Sequence, residues 1–352
     1  MATLEAVRPD AVTLVRTARR RPRRRHALVI AGLSLLLLGV LTARVLLGDF
    51  TVTIPDFFRI LFGETIPGAS YIVMEVKLPR ALLGLLAGMA FGVGGAIFQA
   101  TLRNPLASPD ILGMNLGASA AAVFAIVVLD MAGVALSVAA VLGGIGVALL
   151  VRWAAGNRQG PTGAGYRLVL VGVGAAAALQ SVIQYLFTRT DVHDAQLVLR
   201  WLTGSVSAAD WETVRVLTLL LVVAVPLVAW AARSLPVVEL GADAATGLGV
   251  RPVRSDVLLL IGVTVVAVAV AAAGPVAFVS FLAAPIARAV NAGATTLLGS
   301  ALVGAIVVVG SDFAADYWMP GGNYPVGVVT GAVGAPFLLW LLTRGRTGRS
   351  GS

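Results

Sequence analysis

Residues 81–129 read ALLGLLAGMAFGVGGAIFQATLRNPLASPDILGMNLGASAAAVFAIVVL. An apolar run without a charge closes at Leu102, and a second opens at Ile111. Between them stand Arg103, Asn104, Pro105, Pro109 and Asp110. Each flanking run approaches the roughly 20 residues a helix needs to cross a hydrocarbon layer. The prolines fix φ and remove donors, so neither run continues through them as helix. The stretch therefore reads as two membrane segments joined by a rigid polar turn.

The pattern repeats along the chain. Charge-free runs cover 26–43, 81–102, 111–129, 131–151, 168–188, 216–232, 257–287, 289–311 and 317–343. Of the 352 residues, 58% are hydrophobic and 12% are charged, half the charge of an ordinary soluble chain, at about 25%. So many long runs leave buried soluble helices no polar face. The run 257–287 is too long for one crossing, and Gly274-Pro275 divides it. We expect a helix over 257–273 and a shorter, marginal one over 276–288. The fold class expected is all-α and polytopic, with about ten transmembrane helices.

Arginine sets the orientation. Eight arginines precede the first run, and Arg344, Arg346 and Arg349 follow the last. Basic residues concentrate on the cytoplasmic side, which places both termini inside. The inner side then holds 19 arginines against 6 acids, and the outer side 7 basic residues against 11 acids. The expected division is a basic cytoplasmic tail over 1–26, a transmembrane domain over 27–343 and a second tail over 344–352. The first apolar run is read as a retained span rather than a cleaved leader. The basic tail suits anionic lipid, and nucleic-acid binding is not expected.

The composition excludes several chemistries. There is no cysteine, hence no disulfide or thiolate metal site, and the two histidines fall on opposite sides of the membrane. The single lysine, Lys77, follows no glycine-rich loop, so the chain has no P-loop for ATP. Ion-coupled carriers place ionisable groups within the membrane, whereas Asp130, Asp312 and Asp316 fall near segment ends. Gly84, Gly88 and Gly92 form a small-residue face suited to close helix packing, and Gly327 and Gly331 repeat the spacing.

Two loops stand out. The inner loop 233–255 has a centre that suits one or two short helices, with Asp243 near a start and Gly249 as a stop. The outer segment IPDFFRILFG (54–63) suits a short amphipathic helix. We expect Phe57, Phe58 and Leu61 to rest on the membrane domain, leaving the Arg59 guanidinium free. Trp201 and Trp211, on a second outer feature, suit an interface.

The segment KLPRALLGLLAGMAFGVGGAIFQATLRNPLASPDILGMNLGAS (77–119) resembles permease subunits of bacterial ATP-binding-cassette importers for iron–siderophores, haem and cobalamin. RWLTGSVSAADW (200–211), ELGADAATGLGV (239–250), AGPVAFVSFLAAPIARAV (273–290) and NYPVGVVTGAVGAPFLLWLL (323–342) extend the likeness over about residues 28–343.

The resemblance implies a non-enzymatic transport subunit in the bacterial cytoplasmic membrane, moving a ferric siderophore inward. It implies no cofactor on this chain, with ATP and magnesium on a partner ATPase. The implied partners are a sister permease, two ATPase subunits and an extracytoplasmic binding protein. The turn Asn104-Pro105-Leu106 resembles the inner gate, and Gly165-Tyr166 its second position. Leu240, Gly241, Ala242, Asp243, Ala244, Gly247, Leu248 and Gly249 resemble the ATPase-coupling loop.

Three departures stand against the pattern. Ile286 replaces a common histidine, Asp316 a common arginine, and Asn323-Tyr324 a common glutamate. Outer arginines of the family pair with glutamates of the binding protein, and Arg59 is the docking candidate here. A missing arginine suits a heterodimer over a homodimer. A carrier coupled to ions and working without an ATPase is the alternative reading.

Overall fold

The computed structural model describes residues 9–156, 164–249, 253–319 and 323–347, which are helical with no strand among them. Helix α1 (Pro9–Leu46) has 38 residues, roughly 57 Å at about 1.5 Å each. That exceeds a bilayer with its headgroups, about 45 Å. Only Arg24–Leu46 is apolar enough to span, so the helix continues unbroken from the basic stretch into the membrane. Helix α2 (Ile54–Leu61) follows, capped by Thr53, whose hydroxyl oxygen accepts from the Asp56 N–H at 3.3 Å. Then α3 (Ala69–Tyr71), a π-helical turn (Ile72–Lys77) and α4 (Leu78–Leu102) run as one continuous helix. The Leu78 N–H reaches back to the Val73 carbonyl; Pro79 next to it has no N–H to give.

The rest comprises α5 (Met114–Leu129), α6 (Gly133–Ala155), α7 (Ala164–Phe187), α8 (Val192–Thr203) and α9 (Trp211–Val238), then the short α10 (Ala242–Gly247). The chain continues with α11 (Val253–Ala273), α12 (Val279–Val290), α13 (Leu297–Tyr317) and α14 (Val326–Thr347).

Helix α4 is the axis. It packs on α13, α11, α12 and α9, while α5, α6 and α7 form a second group held through α11. In their most apolar windows, α4 is 72% buried and α1, α7 and α9 only 17%. An apolar surface left outside on that scale requires lipid or protein around it. Close backbone approach explains the α4–α13 contact: a methyl group on Gly88 would lie 2.6 Å from the Gly304 carbonyl oxygen.

Among the described residues, seven helices are long and apolar enough to cross a membrane, and shorter apolar helices occupy Met114–Leu129, Val279–Val290 and Val326–Trp340. The chain is a multi-pass membrane protein. The break at Gly274-Pro275 falls where the sequence puts it: α11 ends at Ala273, and Gly274 has φ +71°.

Other boundaries move. The expected segments 289–311 and 317–343 are α13 and α14, and the chain turns between Tyr317 and Val326. Lack of charge marks solubility in lipid, not the point where backbone hydrogen bonding stops. The inner loop is shorter than 233–255, because α9 runs through Pro236 to Val238 and α11 starts at Val253. Trp201 and Trp211 are half-buried against the core, and the Trp211 indole donates to the Met74 carbonyl at 2.8 Å.

Candidate functional site: a cavity, its inner turn and its flanking loops

A cavity of about 590 Å³ is lined by the connection between α4 and α5, by α5, α7 and α8, by the break before α12, and by Leu338 of α14. Its apolar wall includes Leu106, Ile183, Leu202, Phe278 and Phe281. Its polar wall comprises Ser108, Asp110, Asn115, Ser119 and Gln180. Among the described residues, no arginine or lysine lines it.

The turn at the end of α4 is built by its own residues. Arg103 takes a left-handed conformation, φ +49°, which stops the helix. The Asn104 N–H returns to the Gln99 carbonyl at 3.1 Å, and the Ala107 N–H to the Asn104 carbonyl at 3.0 Å. The Asn104 side-chain oxygen accepts from the Leu106 N–H at 2.9 Å, an Asx turn. Asn104 thus shapes the turn, and Leu106 meets the cavity. Pro105 is exposed beside it. Gly165 and Tyr166 lie in the first turn of α7, and their side chains fall outside the described residues.

Asp110 sits in the 3-10 turn Pro109–Leu112, outside the spanning helices. Its carboxylate accepts from the Asn115 amide at 2.6 Å. Burial pushes its pKa up to about 6, against the opposing hydrogen bonds of Asn115 and Ser108. The break before α12 holds Phe278 at φ +64°, an uncommon conformation for an aromatic residue. Its ring lies edge-on to Phe281 at 6.4 Å.

The inner loop folds as its composition suggests. Gly241, at φ +110°, precedes α10, Asp243 is the second residue of that helix, and Gly249, at φ +84°, follows it. The Asp243 and Ala242 side chains lie outside the described residues. Ala244 and Gly247 are exposed, while Ala245 is buried. Leu240 and Leu248 are 62% and 65% exposed at either end of the helix.

On the opposite side, the expectation for α2 is corrected. Ile60 is buried and Phe57 packs beside it, whereas Phe58 and Leu61 are exposed. The Arg59 guanidinium is not free. It donates to both carboxylate oxygens of Glu64 and to Asp56 at 3.3 Å. This bonding holds the Glu64 carboxyl below its usual range. A short local turn brings Glu64 back onto the helix, which the helical spacing of α2 does not show.

Four charges missed as a set lie nearby. Arg44 Nε donates to Asp312 at 2.6 Å and Arg44 Nη2 to Asp316 at 3.0 Å. Arg80 Nη2 donates to Asp312 at 2.7 Å and to Asp316 at 2.8 Å. Arg44 and Asp312 are each 2% exposed. Asp316, which departs from the expected arginine, is thus committed within the chain and presents no cation outward.

A many-helix membrane domain with a cavity between its helices, and with the charges buried among those helices paired, is the architecture of a membrane transport subunit. The sequence model of the FecCD transport family matches residues 35–344, and the chain belongs to that family. The ferric enterobactin transport system permease protein FepG of Escherichia coli (strain K12) is 35% identical over 84% of this chain and 89% of its own. The Fe(3+) dicitrate transport system permease protein FecD of the same organism is 37% identical over 78% and 86%. A solved structure of an inward-facing conformation, described as a metal-chelate type ABC transporter, has the same fold, with TM-score 0.76 and 24% identity over 90% of this chain and 99% of that one.

Proposed function

We propose that the chain is the membrane-spanning permease subunit of an ATP-binding-cassette importer in the bacterial cytoplasmic membrane. It carries a ferric siderophore or related iron chelate inward, with ATP and magnesium on separate ATPase subunits. The observation that carries this is the juxtaposition of Leu106 at the cavity wall with an apolar-tipped loop, Leu240 to Gly249, beside the same helix end. A leucine more than half exposed at each end of this short helix fits a covered interface, which supports docking of an ATPase there.

In this reading Asn104, Pro105 and Leu106 close the inner end, with Gly165 and Tyr166 as the second gating position. A sister permease completes the passage, and a heterodimer suits a chain whose Asp316 is already paired. The extracytoplasmic binding protein docks on the opposite face. Arg59 contributes there by exchanging Glu64 for a carboxylate of that protein.

Reconstitution tests the reading. Proteoliposomes holding this chain, its sister and their ATPase should take up a radiolabelled ferric siderophore only with ATP and binding protein. Uptake driven by an ion gradient in vesicles without the ATPase overturns it.

A further inference from the structure

We propose that α2 is an interfacial helix. Its exposed apolar side, Ile54, Phe58, Leu61 and Phe62, is seated in the bilayer leaflet opposite the arginine-rich end of α1, and the side carrying Asp56 and Arg59 faces water. The proposal depends on the membrane span of α1, and on neither the cargo nor the ATPase.

The height of α2 is fixed by its attachments. The spanning part of α1 ends at Leu46, and the Val52 N–H returns to the Leu46 carbonyl at 2.9 Å. Lys77 is buried, and its Nζ donates to the Leu47 carbonyl at 2.8 Å and to the Phe50 carbonyl at 2.6 Å. Ile60 is buried in one cluster with Val45, Leu46 and Val73. Helix α2 therefore lies against the last turn of the span, where hydrocarbon gives way to headgroups. A second marker gives the same level. Tyr317, the last residue of α13, packs against Gly48 in the connection from α1 to α2, and Trp318 beside it is exposed. Tryptophan and tyrosine concentrate at that boundary.

The surface of α2 divides into three strips. At about 100° per residue, Ile60 and Phe57 share the strip that faces the protein. Leu61, Ile54, Phe58 and the C-cap residue Phe62 follow on one flank and round to the far side. All four are exposed, Phe62 by 85%, and the rings of Phe58 and Phe62 stack at 6.4 Å. Asp56 and Arg59 take the other flank, where Arg59 pairs with Asp56 and Glu64. Apolar and charged strips on opposite flanks fit a helix lying along the interface plane, one flank in acyl chains and one in water. Water on both flanks would leave four large apolar side chains exposed together. Leu47 and Phe50 are exposed as well, so the connection from α1 is apolar at its surface too.

The chain has no cysteine, so a nitroxide can be placed at one site at a time. Phe58→Cys, Phe62→Cys and Arg59→Cys, all at exposed positions, are spin-labelled in the intact complex in proteoliposomes. Collision with molecular oxygen, which dissolves in lipid, is compared with collision with a water-soluble nickel chelate. Oxygen should dominate severalfold at positions 58 and 62, and the nickel chelate at 59, with the binding protein absent or present. Nickel dominance at 62 puts the strip in water and overturns the proposal. Exclusion of both probes at 62 shows that protein covers the strip and overturns it as well: the sister permease if the exclusion is constant, the binding protein if it follows that protein's addition. If oxygen dominates in vesicles that take up no iron chelate, the proposal stands and the transport reading falls.

Discussion

Asp110 holds its proton more tightly in the folded chain than in the unfolded one, because the cavity wall desolvates its carboxylate. Between the ordinary carboxylate pKa and about 6, the folded state binds the extra proton. Stability from this group is therefore fully present at the acid end and falls as pH rises through that window. Asp110→Asn should flatten the fall, for a difference of at most about 3 kcal/mol. Thermal unfolding in detergent at pH 5 and pH 7 checks it: the variant should gain relative to the parent at pH 7. Arg59 poses a different question at the same scale. With Asp56 and Glu64 it forms a cluster of net charge −1. An acidic partner meets a cation already satisfied. Glu64→Gln should release it, strengthening binding-protein docking and steepening its loss with salt. Arg59→Glu should weaken docking. Affinities at two salt concentrations, measured in nanodiscs, decide both.

At the scale of elements, the Arg44, Arg80, Asp312 and Asp316 network ties the ends of α1, α4 and α13. Two arginines and two aspartates balance, so the network itself carries no net charge. Removing one partner leaves an uncompensated charge, which costs about 3–5 kcal/mol. Asp312→Ala should lose stability of that order, whereas the exposed Arg152–Asp256 pair joining α6 to α11 should contribute under about 1 kcal/mol. Comparing Asp312→Ala with Asp256→Ala in one denaturant series tests the contrast. The α4–α13 seam is steric rather than ionic. Gly88→Val should part the helices, since even one methyl group meets the Gly304 carbonyl. The expected result is lost folded yield, recovered in neither low nor high salt.

For the whole molecule, the proposed coupling places the apolar tips Leu240 and Leu248 on the side carrying the arginine-rich helix. Leu248→Asp should leave the chain in the membrane and reduce ATPase co-purification at least tenfold, because a buried carboxylate without a partner is costly. Retained co-purification would remove the loop from the interface. Asn104→Ala should loosen the inner turn by deleting its Asx bond, raising basal ATP turnover in the reconstituted complex. Unchanged turnover would leave Asn104 a plain connector.

Sequence alone determined the class of fold, the membrane, the break at Gly274-Pro275 and the turn at Asn104–Leu106. These follow from local causes: apolar runs dissolve in lipid, and proline withholds a donor wherever it stands. It also marked the short helix after Gly241, since a glycine stop and an early acid act within one turn. The ends of α13 and α14 escaped it. Asp312 and Asp316 look like the edge of a span until Arg44 and Arg80, more than 230 residues distant, neutralise them inside it. The cavity, the capture of Arg59 by Glu64 and the exposure of Phe58 and Leu61 were likewise decided by tertiary structure. Each depends on which helix ends meet in space, and that is set by backbone approach at sites such as Gly88 and Gly304, where the fit belongs to two surfaces together and to neither segment alone.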